Sequence, residues 1–250
     1  MSNNTLYQQA VDNLEFLKLN DMIEYLDDTV EYVNANHLSF IEGIVRLTNY
    51  QRDRKQKNME QSMVRTAGFP HLKEIKDFDF SFQPSINEEQ IRNFLTMRFV
   101  EKHENIVFIG PSGTGKTHLS TSIGIAAAKN RYTTHFVKCS TLMEQLRRAR
   151  LENRLEAKLK TLVRYKVLII DEIGYLPIDK EDAQMFFQLI DRRYECKSTI
   201  FTTNIAFNNW DEVFKDPILA NAILDRILHH AHVVQINGKS YRMKDYYDDE

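Results

Sequence analysis

The chain has 250 residues, of which 42% are hydrophobic and 27% charged, a composition that excludes disordered and collagen-like proteins. No apolar run approaches the roughly 20 residues that a membrane-spanning helix needs, and the N-terminus lacks the basic and apolar regions of a secretory signal. We therefore expect a cytoplasmic protein without membrane contact, whose two cysteines, Cys139 and Cys196, are reduced thiols rather than metal ligands.

The net charge is only −2, but the charges are segregated along the chain. Seven acids and one base lie in 12–31, whereas 46–76 and 144–166 each carry eight bases and three acids. Basic segments on a nearly neutral chain suit a polyanionic partner.

A helical N-terminal domain is predicted for residues 1–68, because residues 5–67 contain no proline. One apolar stripe repeats at spacings of three and four residues, and it consists of Met22, Tyr25, Leu26, Thr29, Val30 and Val33. A capping-box pattern from Ser39 to Glu42 predicts the start of a second, longer helix, which Gly68 and Pro70 would end.

Residues 69–85 are predicted to be a connector. Phe78, Phe80 and Phe82 alternate with polar residues, so the three rings are expected on one side of an extended segment. Packing of these rings onto the main domain is favoured, and stacking on an adenine or a nucleic-acid base is the alternative.

An α/β domain is predicted for residues 86–250. The pattern from Ser85 to Glu88 resembles a capping box and predicts a helix to about Val100. Five short β-rich runs alternate with helix-like segments, at 106–109, 134–137, 167–170, 199–202 and 233–236. This alternation favours a parallel sheet that helices cover on both faces.

A complete phosphate-loop motif follows the first predicted strand and opens a helix. The predicted nucleotide-binding residues are Gly110, Pro111, Ser112, Gly113, Thr114, Gly115, Lys116, Thr117 and His118. Glycines allow the backbone to turn its N–H groups around an anion, Lys116 can reach the β- and γ-phosphates, and Thr117 can hold Mg²⁺. The alternative, a glycine-rich turn that binds nothing, is disfavoured because both the motif and its context are complete.

Two adjacent carboxylates, Asp171 and Glu172, end the apolar strand at 167–170. Ligands of open α/β sheets bind beyond the carboxyl ends of strands, so Asp171 is placed to hold Mg²⁺ opposite Thr117. Glu172 is placed to activate a water molecule as the catalytic base.

Three further polar residues are candidates for phosphate chemistry. Asn204 follows the fourth predicted strand and could hydrogen-bond a phosphate or the attacking water, although a turn role competes. Arg226 lies beside Asp225 in a helix-like segment at 217–230, and an arginine from a neighbouring subunit can stabilise the charge developed in phosphoryl transfer. The alternative is a surface arginine that pairs with Asp225. Arg242, near the end, could reach the nucleotide of its own subunit.

The order of these motifs resembles the IstB/DnaC group of AAA+ ATPases, over residues 6–244. Within this group, the sequence is similar to the IstB family, the helper ATPases of bacterial insertion sequences. The stretches that carry the resemblance are 78–80, 110–119, 170–177, 193–195, 202–204 and 225–230.

The resemblance implies an AAA+ core with strand order 5-1-4-3-2, which binds ATP and Mg²⁺. It assigns Asn204 as the first sensor, Arg226 as the arginine finger and Arg242 as the second sensor. It also implies sequence-nonspecific binding of double-stranded DNA, ATP-dependent homo-oligomers and a partner transposase. Because the sequence ends soon after Arg242, we expect no helical lid domain of the kind that many AAA+ relatives have.

Two groups of basic residues are the candidate DNA contacts. The first lies in one helix-like stretch and comprises Arg147, Arg148, Arg150 and Arg154; the second lies in the N-terminal domain and comprises Arg52, Arg54, Lys55 and Lys57. In the first group, Glu152 and Glu156 could instead pair with the bases of a solvated helix. The second group could instead dock onto the acidic residues 12–31 of a neighbouring subunit.

A metal site at His229 and His230 is disfavoured, because adjacent helical residues point about 100° apart and no third ligand is evident. A packing or hydrogen-bonding role is expected instead.

The sequence therefore predicts a Mg²⁺-dependent ATPase, stimulated by DNA and by oligomerisation, that assists a transposase. A replicative helicase loader of the DnaC type is the nearest alternative. A small-molecule P-loop kinase and a nucleotide-gated scaffold without turnover are disfavoured, because Glu172 suits the activation of water.

Overall fold

A computed structural model describes residues 3–175 and 177–244 of the chain. Leu176, which belongs to the 170–177 stretch of the resemblance, and residues 245–250 of the predicted ATPase domain lie outside the described residues. The chain divides into two compact units, Met1–Ser62 and Met63–Glu250. The finer division at 1–68, 69–85 and 86–250 stays a prediction.

The first unit is helical, as predicted. Its helices are α1 (Asn3–Phe16), α2 (Asn20–Glu24), α3 (Leu26–Ala35) and most of α4 (Phe40–Thr66). The predicted capping box forms at the start of α4, where the Ser39 N–H donates to Glu42 Oε2 over 2.7 Å and the Glu42 N–H donates to Ser39 Oγ over 3.3 Å. The predicted stripe is interrupted where the chain breaks at Tyr25, between α2 and α3; Met22 and Thr29 are buried, whereas Val30 is 48% exposed.

Helices and strands alternate in the second unit. Its helices are α5 (Glu88–Phe94), α6 (Arg98–Glu101), α7 (Lys116–Lys129), α8 (Cys139–Leu151), α9 (Leu155–Arg164), α10 (Lys180–Arg193), α11 (Trp210–Phe214) and α12 (Pro217–Leu228). Its strands are β1 (Asn105–Ile109), β2 (Thr134–Lys138), β3 (Val167–Ile173), β4 (Ser198–Thr203) and β5 (Ala231–Gln235). All five predicted strands are confirmed, with ends that differ by a few residues.

The helix predicted from Ser85 to about Val100 is wrong in its start and its continuity. Asn87 is the N-cap of α5, and its side chain accepts from the Gln90 N–H over 3.1 Å. Ser85 instead accepts from the Asn237 N–H over 3.1 Å. Met97, in the left-handed region with φ of 65°, separates α5 from α6.

The five strands form one parallel sheet in the order β2-β3-β4-β1-β5, which is the predicted order 5-1-4-3-2 read from the other edge. Alternate residues of each strand enter two separate cores. Ile106 and Phe108 of β1 pack into the core that includes α5, α6 and α7, whereas Val107 packs into the core that includes α8 to α12. Both faces of the sheet are therefore buried, which explains the apolar runs of the central strands β1 and β3.

Arg193, at the end of α10, is a buried cation between these layers, with 2% exposure. It donates to the carbonyls of Leu162, Tyr165 and Ser198 and to the Thr199 hydroxyl over 2.6–2.9 Å. Burial lowers the pKa of Arg193 to about 9, so the guanidinium remains charged at neutral pH and ties α9, β4 and α10 together.

The connector lies within the second unit and packs onto its sheet and helices, as expected for its aromatic rings. Phe78 and Phe80 contact each other edge to face and pack against the α7 side of the core. Phe82 instead contacts Tyr241 edge to face, so the three rings do not share one side. Among the described residues, no helix is both long enough and apolar enough to cross a bilayer.

Candidate functional site

The phosphate loop leaves the carboxyl end of β1 and enters α7 at Lys116. Gly113 and Gly115 have φ values of 79° and 95°, and residues with a side chain rarely adopt such values. The loop is also closely covered, because a Cβ on Gly113 would lie 2.0 Å from Ser240 Oγ and a Cβ on Gly115 would lie 2.5 Å from the Phe78 ring. Both glycines are therefore required by backbone conformation and by space.

The Lys116 ammonium is folded into this loop. Its Nζ donates to the Gly110 carbonyl over 2.7 Å and to the Pro111 carbonyl over 2.6 Å. Burial lowers the pKa of Lys116; the Asp171 carboxylate opposes that effect, and the Arg242 guanidinium adds to it. The Lys116 ammonium therefore lies close enough to both Asp171 and Arg242 to interact with their charges.

The predicted magnesium ligands Thr117 and Asp171 are in contact. The Thr117 hydroxyl lies 3.0 Å from Asp171 Oδ1 and 3.1 Å from Oδ2. Asp171 is fully buried, and burial raises its pKa, while hydrogen bonds from Thr202 and Thr117 lower it. A hydroxyl beside a carboxylate is a set of hard oxygen ligands, which suits Mg²⁺.

Thr202 is a member of this site that the sequence reasoning missed. Its hydroxyl donates to Asp171 Oδ1 over 2.6 Å and accepts from the Glu172 N–H over 2.9 Å. The β3–β4 pairing is irregular between Ile170 and Ile173, and Glu172 has φ of 62°. One hydroxyl therefore fixes both the buried carboxylate and the backbone of the residue that follows it.

Lys138 is a second member that was missed. Its Nζ lies 2.9 Å from Glu172 Oε2, and this hydrogen bond raises the pKa of Lys138. Lys138 ends β2 and is in register with Asp171 of β3. Ligands of open α/β sheets bind beyond the carboxyl ends of the strands, and this carboxyl-end rule was applied only to β3 and β4. Applied to β2, it would have indicated Lys138.

The remaining predicted residues of this edge lie around the loop. Asn204 is exposed and is the first residue after β4. His118 Nε2 lies 3.1 Å from the Glu74 carbonyl, and its ring contacts Phe78, so it faces the connector. The Tyr241 N–H donates to the Gly113 carbonyl over 2.9 Å, and this bond holds the short 3₁₀ turn containing Arg242 against the phosphate loop.

Arg226 lies on α12, and its guanidinium pairs with α10 and not with the phosphate loop. Its Nε lies 2.6 Å from Asp191 Oδ1 of α10. Among the described residues, its guanidinium has no contact with Lys116, Asp171 or Glu172. One chain therefore does not bring this arginine to its own loop.

His229 and His230 have the hydrogen-bonding surroundings that were expected. The His229 ring contacts the Tyr194 hydroxyl, and His230 Nε2 lies 3.5 Å from Glu195 Oε1. Glu195 also supplies a third potential ligand atom, which the sequence did not indicate, so three such atoms lie within 4.8 Å of one another.

The basic residues proposed to contact DNA are mostly paired with acids. Arg147 Nε donates to both oxygens of Asp182, which is 1% exposed. The other pairs are Arg148 and Arg154 with Glu152, Arg150 with Glu181, Arg52 with Asp53, and Arg54 with Asp21. Arg154 lies between α8 and α9, so the prediction that all four arginines share one helix is wrong.

Comparison with known proteins places this site in a family. A family model described as IstB-like ATP binding protein matches residues 12–248. A protein of insertion sequence IS232 from Bacillus thuringiensis subsp. berliner is 62% identical over 98% of both chains. A protein of insertion sequence IS21 from Pseudomonas aeruginosa is 40% identical over 93% of this chain and 88% of its own length.

Solved structures show the same fold. The crystal structure of the DnaC helicase loader covers 60% of this chain and 87% of its own, with a TM-score of 0.53 and 24% identity. DnaI covers 71% of this chain and 94% of its own, with a TM-score of 0.57 and 20% identity. The second unit is thus an AAA+ P-loop core, and the chain belongs to the family of IstB-like ATP-binding proteins.

Proposed function

We propose that this chain is a Mg²⁺-dependent ATPase that assembles on double-stranded DNA and assists the transposase of an insertion sequence. The observation that carries the proposal is the contact of Thr117 with the buried Asp171, beside the phosphate loop and followed directly by Glu172. The insertion-sequence relatives favour transposition over helicase loading, because the DnaC and DnaI similarities extend to the fold alone.

The described residues fit ATP and Mg²⁺. Gly113 and Gly115 have backbone conformations that turn N–H groups inward, and α7 begins at Lys116, so a helix N-terminus faces the loop. The Thr117 hydroxyl and the Asp171 carboxylate would hold the metal ion, and Lys116 would hold the phosphates. When bound, Mg²⁺ neutralises charge on the phosphates.

Glu172 is the group we assign as general base. Its side chain is 39% exposed, so water reaches it, whereas the fully buried Asp171 is suited to metal binding. Its backbone is held by Thr202, and its Oε2 is held by Lys138. The carboxylate can accept a proton from water, and Asn204 and Arg242 would orient the groups around it.

Arg226 is assigned to the site of a neighbouring subunit. Asp191 of the same chain holds the Arg226 guanidinium against α10, so the phosphate loop that Arg226 serves must come from a second copy. An arginine supplied in this way is worth on the order of 10³–10⁵ in rate. Hydrolysis would then require an oligomer, which is the proposed assembly on DNA.

The proposed DNA contacts can be ranked by what it costs to break the ion pair that each basic residue makes. Arg148, Arg150 and Arg154 form exposed ion pairs, each worth about 0–1 kcal/mol, so a DNA phosphate can displace them at little cost. Displacement of Arg147 would leave the buried Asp182 carboxylate unpaired, which costs about 3–5 kcal/mol. We assign the phosphate contacts on this surface to the first three arginines.

Phosphate release from ATP tests the catalytic part of the proposal. Tag-free protein with Mg²⁺, ATP and duplex DNA should hydrolyse ATP, and Glu172→Gln should lower kcat by about 10²–10⁴-fold while ATP binding remains. Glu101→Gln, which changes an exposed glutamate of α6, is the matched control and should not alter the rate. An unchanged rate in Glu172→Gln would refute the assignment of the base.

Electron microscopy tests the assembly. We expect oligomers on duplex DNA with a non-hydrolysable ATP analogue and none without nucleotide. Assembly on single-stranded DNA alone would favour the helicase-loader alternative, and a protein that stays monomeric on duplex DNA would contradict the proposal.

A further inference from the structure

The guanidinium of Arg226 is held on three sides. Its Nε donates to Asp191 Oδ1 over 2.6 Å, and its Nη1 donates to the Ala222 carbonyl, one turn earlier on α12, over 3.2 Å. Its central carbon lies 4.6 Å from the centre of the Phe187 ring. Phe187 and Asp191 are one turn apart on α10, so the same face of that helix supplies both contacts.

These contacts leave one edge of the guanidinium for a ligand. A guanidinium has five N–H donors, and Asp191 and Ala222 take one donor on Nε and one on Nη1. In the part of the chain that the structure describes, Nη2 has no hydrogen-bond partner. The remaining donors form the end-on fork that matches two oxygens of a phosphate.

We infer that Asp191 and Phe187 are positioning residues for Arg226, which hold its fork in the orientation that a neighbouring subunit's phosphate requires. This inference rests on the proposed function of Arg226. The Arg226 side chain is 29% exposed and the Asp191 side chain is 49% exposed, so the pair lies at the surface where a second copy can meet it.

An arginine side chain has many rotamers, so an unsupported finger would seldom be in the reactive orientation. Asp191 fixes the Nε end, and the Phe187 ring fixes the plane by a cation–π contact. A displacement of about 1 Å in a catalytic group costs on the order of 10²-fold in rate. Loss of Asp191 should therefore lower turnover and leave the affinity of the chain's own loop for ATP unchanged.

The test is the DNA-dependent ATPase of the full chain. We expect Asp191→Ala to lower kcat by about 10- to 100-fold with KM within about twofold, and Asp191→Asn to lower it less, because the amide oxygen still accepts. The double variant Asp191→Ala/Arg226→Ala should be no slower than Arg226→Ala alone. Asp225→Ala is the matched control, since it removes an exposed carboxylate next to Arg226 that does not contact the guanidinium.

Mixed oligomers separate positioning from folding. Subunits with Glu172→Gln keep an intact finger, so mixing them with Asp191→Ala subunits should restore turnover at the loops of the latter. A merely unfolded Asp191→Ala subunit would not be rescued. Phe187→Leu, which keeps an apolar side chain but removes the ring, should show a smaller defect of the same kind.

The outcomes separate the finger role of Arg226 from the positioning role of Asp191. If Arg226→Ala retains full activity, the finger assignment fails and the positioning role fails with it. If Arg226→Ala is impaired but Asp191→Ala equals Asp225→Ala, only the positioning role is overturned.

Discussion

Thr202→Val removes the hydrogen bond that supports the buried Asp171, the proposed metal ligand, together with the acceptor of the Glu172 N–H. Thr202 donates to Asp171 Oδ1 over 2.6 Å, and Val has nearly the same shape without the hydroxyl. A hydrogen bond to a charged group contributes about 1.5–3 kcal/mol. Because Thr117 still donates to Asp171, we take the lower end of this range, about 1.5 kcal/mol, as the stabilisation that the ionised carboxylate loses.

The sign of the resulting pKa shift follows from the protonation states. Burial already raises the pKa of Asp171, and the Thr202 hydrogen bond stabilises its ionised form and so lowers that pKa. Removing the bond raises the pKa further. A protonated carboxyl is a poor ligand for Mg²⁺, so the acid limb of the ATPase profile should move to higher pH.

The assay is kcat/KM for ATP against pH, because this ratio reports the pKa values of the free enzyme. Thr203→Val is the matched control, since the buried Thr203 hydroxyl donates to the Ile173 carbonyl and not to Asp171. We expect the acid limb of Thr202→Val to lie at higher pH than that of Thr203→Val. Coincident acid limbs would refute the role that we assign to Thr202.

Three further substitutions test other parts of the structure. Lys138→Met releases Glu172, the proposed general base, from an exposed ion pair worth about 0–1 kcal/mol and leaves its carboxylate to the attacking water. The DNA-free ATPase rate should therefore rise by up to about fivefold, as measured by phosphate release. Arg193→Met leaves three buried acceptors and the half-buried Tyr165 carbonyl without this donor and should lower the free energy of unfolding by about 3–5 kcal/mol in urea titrations, whereas Arg192→Met, at the surface, should have little effect. Arg150→Ala should reduce the slope of log K against log salt for duplex DNA by about 0.9, whereas Arg147→Ala should chiefly destabilise the fold.

The loop and the sheet could be predicted because their signals are local. The motif from Gly110 to Thr117 fixes the turn, and short β-rich runs alternate with helix-like segments along the chain. The carboxyl-end rule then brings Thr117 and Asp171 together without any knowledge of the packing. The start of α5 was harder to predict, since Ser85 and Asn87 both suit an N-cap. Ser85 accepts instead from the Asn237 N–H, which is distant in sequence, and Asn87 caps the helix.

The missed residues depend on register between strands that are distant in sequence. Thr202 reaches Asp171 because β4 lies next to β3 and the pairing is irregular at that point. Lys138 reaches Glu172 because β2 lies on the other side of β3. Neither contact leaves a periodic signal in the sequence, and the ion pairs of Arg148 and Arg150 likewise depend on where charged side chains meet.

The arrangement of Arg226 has a consequence for how turnover is controlled. The loop, Asp171, Glu172 and Lys138 all lie at the carboxyl edge of the sheet, whereas Arg226 is fixed to α10 by Asp191. If Arg226 and the loop are the two halves of one site, as we propose, a chain that cannot join them has little activity alone, and each added copy completes one site. Under the proposed function, the rate per chain should therefore rise with protein concentration and with DNA that gathers the copies. Arg226→Ala should abolish this rise, and a rate per chain independent of concentration would show that one chain suffices.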